Sequence, residues 1–170
     1  VGAILFLEAG YEVIDRTVIM ECELENFRAP VGRQQLHNRR RFRVDMETHC
    51  SARTWWEACT DPPSESARFV VFPAAGGTAC GSVVFWIIEP LSTVYGRPTA
   101  GLTRLQIDNQ HKRQGLATYL NSEAMRQLQV GGVSHVEVQT MQNNVAAVAL
   151  YEKLGFEAVD EGLVLRKPAH

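Results

Sequence analysis

Between Thr99 and Leu154 the apolar spacing alternates between strand-like and helix-like, and that succession limits the fold more than any other feature of the chain. Thr99 to Ile107 reads as a strand, with Leu105 and Ile107 two residues apart on one face. Gln114 to Val130 then places Leu116, Tyr119, Leu120, Ala124 and Leu128 at helical spacing, and Gly131 and Gly132 supply the stop. A strand from His135 to Thr140, a helix from Asn143 to Leu154 and a hairpin from Phe156 to Arg166 follow. Elements in this order predict an α/β domain, a mixed sheet with helices on both faces.

Upstream, the same reading gives a strand from Arg41 to Met46 and a helix from Thr48 to Cys59. Asp61, Pro62 and Pro63 end that helix, because proline cannot continue it. Arg68 to Phe72 and Ala79 to Glu89 are β-branched and aromatic runs joined by Ala74, Ala75, Gly76 and Gly77, a hairpin by turn chemistry. The turn Tyr95, Gly96, Arg97, Pro98 leads into Thr99. A length of 170 residues accommodates one full domain and a fragment of another. The net charge of -2 supplies no global field for nucleic acid, no apolar run reaches bilayer-spanning length, and no secretory signal opens the sequence. The expected setting is cytoplasmic, with neither nucleic acid nor membrane as a partner. Cys22, Cys50, Cys59 and Cys80 are too scattered for a zinc site and are expected to be reduced, mostly buried thiols.

The first segment repeats the last. Shifted by 145 residues, Leu5, Gly10, Glu12 and Asp15 fall on Leu150, Gly155, Glu157 and Asp160. Conservative matches fill the register: Phe6 with Tyr151, Tyr11 with Phe156, Ile14 with Val159, Val18 with Leu163, Ile19 with Val164 and Met20 with Leu165. Helix-Gly-strand junctions tend to look alike, so chance is the alternative; duplication is the favoured reading. On that reading residues 1–28 are the tail of an upstream copy plus linker, and residues 29–170 form the main domain. Glu23 to Asn38 is the expected linker, and Tyr11 to Leu24 the expected extended segment packed beside the domain.

The chemistry-bearing residues begin with Lys112, Arg113, Gln114, Gly115, Leu116 and Ala117, set after a strand and opening a helix. Backbone N–H groups at a helix start are unpaired and the helix dipole is positive there, so Gly115 and the small Ala117 let an anion approach the backbone closely. His111, Lys112 and Arg113 add positive charge suited to a pyrophosphate. Alone the motif is weak, since such a glycine often marks only a turn and a basic triplet a solvated face. A second motif follows in the helix from Asn143 to Leu154. Asn144, Ala147 and Tyr151 fall within roughly 60° of arc, so an amide, a small residue and a phenol line one groove. An amphipathic helix with an Asn N-cap is the alternative.

Together these residues resemble the GNAT family of N-acetyltransferases, over residues from about 40 to about 167. The resemblance implies an acyl-coenzyme A N-acyltransferase fold, with a mostly antiparallel central sheet flanked by helices. The family's loop has the form Gln/Arg-x-x-Gly-x-Gly/Ala. Gly115 and Ala117 fit it, and Lys112 takes the first place, which keeps the charge and loses the planar fork. By this resemblance the amides from Arg113 through Ala117 hold the pyrophosphate of acetyl-coenzyme A, the co-substrate. The strand of Leu105, Gln106 and Ile107 pairs through its backbone with the pantetheine arm, and Asn144 is a pantetheine contact. Tyr151 is the acid that protonates the departing thiolate.

The implied reaction is attack of a neutral amine on the acetyl thioester. An alkylamine with a pKa of about 10.4 is protonated at neutral pH, so a base is needed. Thr99 to Ile107 contains no acid; Asp108, Glu89 and Glu137 remain, as does a water chain, and each acid is more ordinarily a surface charge. The acceptor, an unidentified amine, is expected to meet Thr48 to Cys59 and Val159 to Val164. Trp55 and Trp56 point about 100° apart on that first helix, so one is free to line the acceptor pocket while core packing is expected of the other and of Trp86. Arg39, Arg40, Arg41 and Arg43 read as the solvated start of a strand, with recognition of an anionic acceptor or nucleic acid as the less favoured alternative. Two functions compete: an acetyltransferase, favoured by Tyr151 beside Asn144, and a catalytically silent coenzyme A-binding module, favoured by the missing strand acid. The C-terminal half of a tandem enzyme, such as the mycothiol synthase type, is compatible with the first, and a homodimer is also left open.

Overall fold

The computed structural model describes residues 2–48 and 66–168. The elements run α1 (Gly2–Glu8), β1 (Glu12–Glu23), α2 (Arg33–Arg41), β2 (Phe42–Thr48), β3 (Ser66–Pro73), β4 (Gly81–Ile87) and α3 (Glu89–Tyr95). Then follow β5 (Thr99–Ile107), a 3₁₀ turn (Asn109–His111), α4 (Leu116–Val130), β6 (His135–Met141), α5 (Val145–Lys153) and β7 (Glu157–Arg166). All seven strands form one sheet in the order β2-β3-β4-β5-β6-β1-β7. Only β5 and β6 run parallel, because the connection between them carries α4 and returns the chain to the same end of the sheet. Every other pairing is antiparallel. The expected mixed, mostly antiparallel sheet flanked by helices is the fold observed.

The core forms where strand alternation meets the helical stripe. Phe69 and Val71, Val83 and Phe85, Ala100 and Leu102, Val136 and Val138, and Met20 and Cys22 alternate inward from β3, β4, β5, β6 and β1. Helix α4 closes over them with Leu116, Leu120, Ala124 and Met125, each at most 1% exposed. Burial of a leucine side chain is worth about 1.5–3 kcal/mol, so this stripe is what pins α4, and its N-terminus with it, to the sheet. Helix α4 also packs against α2 and α5.

Three expectations need correction. The segment from Phe156 to Arg166 is not a hairpin but the single strand β7, and β1 is its partner. Asp160, Glu161 and Gly162 carry local turn chemistry, but each is paired across to β1, at Ile19, Val18 and Thr17, so ladder hydrogen bonds outweigh the turn. The expected linker from Glu23 to Asn38 contains most of α2. Arg39, Arg40 and Arg41 form the last turn of that helix rather than the start of a strand, where the negative end of the helix dipole favours them. Finally, the strand expected from Ala79 to Glu89 ends at Ile87, and Glu89 and Pro90 open α3, with proline in the first turn where its missing N–H costs nothing.

Thr48 closes β2, and the rest of the helix expected through Cys59 lies outside the described residues, with Trp55, Trp56, Cys50 and Cys59. Cys22 and Cys80 are free and buried. Among the described residues no helix is long and apolar enough to cross a membrane, and no group of His, Cys, Asp and Glu is arranged to hold a metal ion.

Candidate functional site

Strands β5 and β6 separate halfway along their length. They pair from Thr99↔His135 to Leu102↔Val138 and no further, although β5 continues to Ile107 and β6 to Met141. On its other edge β5 stays paired with β4 as far as Gly81↔Ile107, and β6 stays paired with β1 as far as Thr17↔Met141. The cause is a bulge. The β4–β5 register shifts between Ser82 and Val84, and Arg104 on the bulged strand has φ 52, a left-handed conformation that turns β5 away from β6. Among the described residues no strand pairs with the β6-facing edge of residues 105–107. Leu105 and Ile107 pack against the core and Gln106 is exposed, so the three residues offer backbone to the gap and hold the strand by alternate side chains.

The loop after β5 reaches α4 through Gly115, which takes φ 67 as the N-cap and leaves the helix without a side-chain cap. Among the described residues no backbone carbonyl takes up the N–H groups of Gln114, Gly115, Leu116 or Ala117. Their carbonyl side is tied down instead. The carbonyl of Gln114 accepts from Gln34 Nε2 at 2.8 Å and from Asn38 Nδ2 at 3.0 Å, and that of Gly115 accepts from Gln35 Nε2 at 3.3 Å. Three amides of α2 therefore brace one side of the loop, while open N–H groups and the positive end of α4 remain for an anion. Lys112, Arg113 and Gln114 are exposed; Leu116 is buried and offers only its N–H; Ala117 is half-buried. The brace was missed in the sequence. Its available signal was Gln34 and Asn38 at a spacing of one helical turn in a segment with no apolar stripe.

Helix α5 carries the third group. Asn144 is its N-cap and accepts the Ala147 N–H through Oδ1 at 3.3 Å, so the N-cap reading describes that oxygen, and the Nδ2 donor remains. Tyr151, two turns on, is 5% exposed, with its ring 5.5 Å from that of Phe156. Burial pushes the Tyr151 phenol above the ordinary tyrosine value, which keeps it a protonated donor at neutral pH. Because β5 and β6 are parallel, the loop of residues 112–117 and Asn144 both emerge at the end of the sheet where those strands part.

The three acids differ in their distance along the sheet from that parting. Glu137 is half-buried and pairs with Gly101, one position before the last β5–β6 pair. Asp108 lies beyond the far end of β5, and Glu89 beyond the end of β4 that faces away from the gap. Trp86 pairs with Gly101 on the next strand, and its indole occupies the space a Cβ there would need, with Nε1 at 2.6 Å from that point. Trp86 is half-buried on the sheet rather than packed in the core.

Residues 33–156 match the family model for the acetyltransferase (GNAT) family. The chain belongs to the GNAT family. Human N-acetyltransferase 8B is 33% identical over 91 residues, covering 46% of this chain and 40% of that protein. Among solved structures, a GCN5-related N-acetyltransferase from Kribbella flavida superposes with a TM-score of 0.63 at 16% identity, covering 99% of this chain and 64% of its own. A tandem GNAT protein from the clavulanic acid biosynthesis pathway gives 0.63 at 13% identity, covering 96% and 57%. The GNAT chain thus spans less than two thirds of each of these relatives. At such identities the structural likeness establishes the GNAT fold, and the family match covers the parting strands, the Gly115 loop and Tyr151 together.

Proposed function

We propose that this GNAT domain is an N-acetyltransferase that binds acetyl-coenzyme A at the gap between β5 and β6 and transfers the acetyl group to a primary amine. The observation that carries the reading is the uncapped start of α4, braced from behind by α2, beside a strand edge that no other strand covers. Backbone N–H groups from Arg113 through Ala117, with Lys112 beside them, hold the pyrophosphate; residues 105–107 and the Asn144 amide hold the pantetheine arm, beside Ala147.

The co-substrate supplies an activated acyl group, and the chain supplies orientation and proton transfer. A new C–N bond forms as the C–S bond breaks; the amine gives up a proton to a base, and Tyr151 gives one to the departing sulfur. Glu137 is the acid best placed for the first proton, since of the three candidates it alone sits at the parting of the strands. The acceptor is a small-molecule or peptide amine.

Two measurements test the reading. Acetyl-coenzyme A at 100 times its dissociation constant adds about 2.7 kcal/mol, a melting shift of a few degrees for a chain of this size. No shift with acetyl-coenzyme A, coenzyme A or a longer acyl form sinks the proposal. Thiol release should appear with at least one of a panel of amines, amino acids, aminoglycosides and peptide N-termini; binding without release from any of them would identify a silent coenzyme A-binding module.

A further inference from the structure

The junction of helix α1 with strand β1 repeats that of helix α5 with strand β7 in three backbone hydrogen bonds. At the end of α1, the N–H groups of Ala9, Gly10 and Tyr11 donate to the carbonyls of Leu5, Leu7 and Phe6; at the end of α5, those of Leu154, Gly155 and Phe156 donate to Leu150, Glu152 and Tyr151. Gly10 and Gly155 take φ 82 and 87, the left-handed step that turns each helix into its strand. The ring pairs Phe6–Tyr11 and Tyr151–Phe156 stand 5.3 and 5.5 Å apart.

The pairing of β1 with β7 extends the repeat into a symmetry. Replacing each residue by its counterpart 145 positions away maps the register onto itself. Glu12↔Arg166 becomes Glu21↔Glu157, Val13↔Leu165 becomes Met20↔Ala158, Asp15↔Val164 becomes Ile19↔Asp160, and Arg16↔Leu163 becomes Val18↔Glu161. The irregularities map as well, since the ladder skips Ile14 on β1 and its counterpart Val159 on β7. Thr17↔Gly162 maps onto itself, so a local two-fold axis passes through that pair. There the two counterparts have diverged to fit, because a Cβ on Gly162 would run into Thr17 Oγ1. Beside the axis Arg16 forms an ion pair with its own counterpart Glu161 at 3.3 Å, where two identical segments would set like charges together.

Half of what this symmetry requires is absent among the described residues. On its far side β1 pairs with β6 over residues 17–23, whereas β7 is the edge of the sheet, and on the side away from β1 the counterpart residues 162–168 face no strand among the described residues. Tyr151 is 5% exposed and its counterpart Phe6 is 50% exposed. Val18 packs against the core, while its counterpart Leu163 is an exposed leucine. Ile4, Leu5 and Leu7 of α1 are exposed too. Apolar side chains crowded on one short helix, beside a bare strand edge, mark a surface built to be covered.

We propose that the bare edge of β7 and the apolar side chains of α1 dock a second GNAT-fold module, upstream in the same polypeptide, through an exchange of strands. The module's counterpart of β6 pairs antiparallel with residues 162–167, and its core covers Phe6 and Leu163 as this core covers Tyr151 and Val18. Strand β1 then completes this sheet and β7 completes the other, giving one continuous sheet across the axis. The divergence at Arg16 and Glu161 selects a module of different sequence over a second copy of this chain. The inference rests on the family's fold and on no assumption of activity.

The test compares the polypeptide from the whole reading frame with the 170-residue chain alone. The frame should continue upstream of Val1 into a GNAT domain that ends in α1 and β1. Hydrogen exchange by mass spectrometry should then be slower at residues 162–167 in the long polypeptide by at least about tenfold, because paired edge amides exchange only on opening. Leu163→Glu should abolish that protection in the long polypeptide and leave the melting temperature of the short chain almost unchanged. A frame without an upstream GNAT domain, equal exchange in both proteins, or a short chain that dimerises with residues 162–167 protected would each overturn the proposal. Coenzyme A binding is not read in any of these measurements, so a failed activity assay leaves this result standing, and the reverse holds as well.

Discussion

Asn38 Nδ2 donates to the carbonyl of Gln114 at 3.0 Å, and that bond ties α2 to the loop that opens α4. Asn38 is 1% exposed, so the donor is not shared with solvent. Asn38→Leu keeps the volume and removes the bond. It should cost about 0.5–1.5 kcal/mol of stability, the net worth of one hydrogen bond, because Gln34 Nε2 still donates to the same carbonyl. The freed loop should also bind acetyl-coenzyme A several-fold more weakly. Calorimetry and cofactor titration of the variant check both; a parental melting temperature and affinity would show that the brace is idle.

Gly115 should resist replacement for two separate reasons. Its φ of 67 costs an alanine about 1–2 kcal/mol. A Cβ there would also lie 2.9 Å from Gln34 Cγ and 3.3 Å from Gln35 Nε2, so relief of the contact loosens the same brace. Gly115→Ala is expected to melt about 2–8 °C lower and to lose at least about tenfold in acetyl-coenzyme A affinity. Unchanged affinity would remove the loop from the binding site.

Tyr151→Phe separates the ring from its hydroxyl. The ring packs against Phe156 with or without oxygen, so fold and cofactor affinity should be nearly intact. Loss of a general acid should lower kcat at least about tenfold, the low end leaving room for water as a substitute. Burial raises the phenol's pKa, so the acid stays protonated until pH passes a value above the ordinary one near about 10. Any alkaline fall in kcat owed to Tyr151 should therefore begin above that value and be missing from the variant. Full turnover by Tyr151→Phe, with chemistry limiting, would leave Tyr151 a packing residue.

The buried thiols should be inert. Burial, then the carboxylates of Glu157, Glu21 and Glu23, push the Cys22 thiol up to about 11. Burial first and Asp108 second raise Cys80. A pKa raised on folding means that the neutral thiol is the form the fold favours. The stability Cys22 contributes is complete below the unfolded value of 9.0 and is lost as pH rises from there through about 11. At pH 8 the native chain should leave Cys22 and Cys80 unmodified by iodoacetamide over times that alkylate both in denaturant. Mass spectrometry of the peptides reads the result, and rapid native alkylation would contradict the packing.

Much of the candidate site was legible because its signals are local. A glycine before a helix, an uncapped helix start and a phenol two turns from an asparagine on the same helical face are properties of short spacings, and they single out Gly115, Asn144 and Tyr151 without knowledge of any distant residue. The strands of the central sheet were legible for the same reason, since alternation along β3, β4 and β5 is written into each strand separately. Their neighbours were not. Main-chain hydrogen bonds carry no residue identity, so nothing in residues 157–166 says that their partner lies at residues 12–21 and not across a local turn at Asp160 and Glu161. Helix α2 escaped detection because its one apolar residue, Leu36, is 53% exposed, and its contribution is three side-chain amides aimed at a loop about 80 positions away in sequence. The bulge at Arg104, which opens the gap between β5 and β6, is a backbone strain that a basic side chain does not announce and that only packing on both sides sustains. The sequence by itself therefore determined the chemistry carried by each short segment. Tertiary structure alone decided which segments meet, because pairing and bracing are contacts between residues whose separation along the chain no local pattern records.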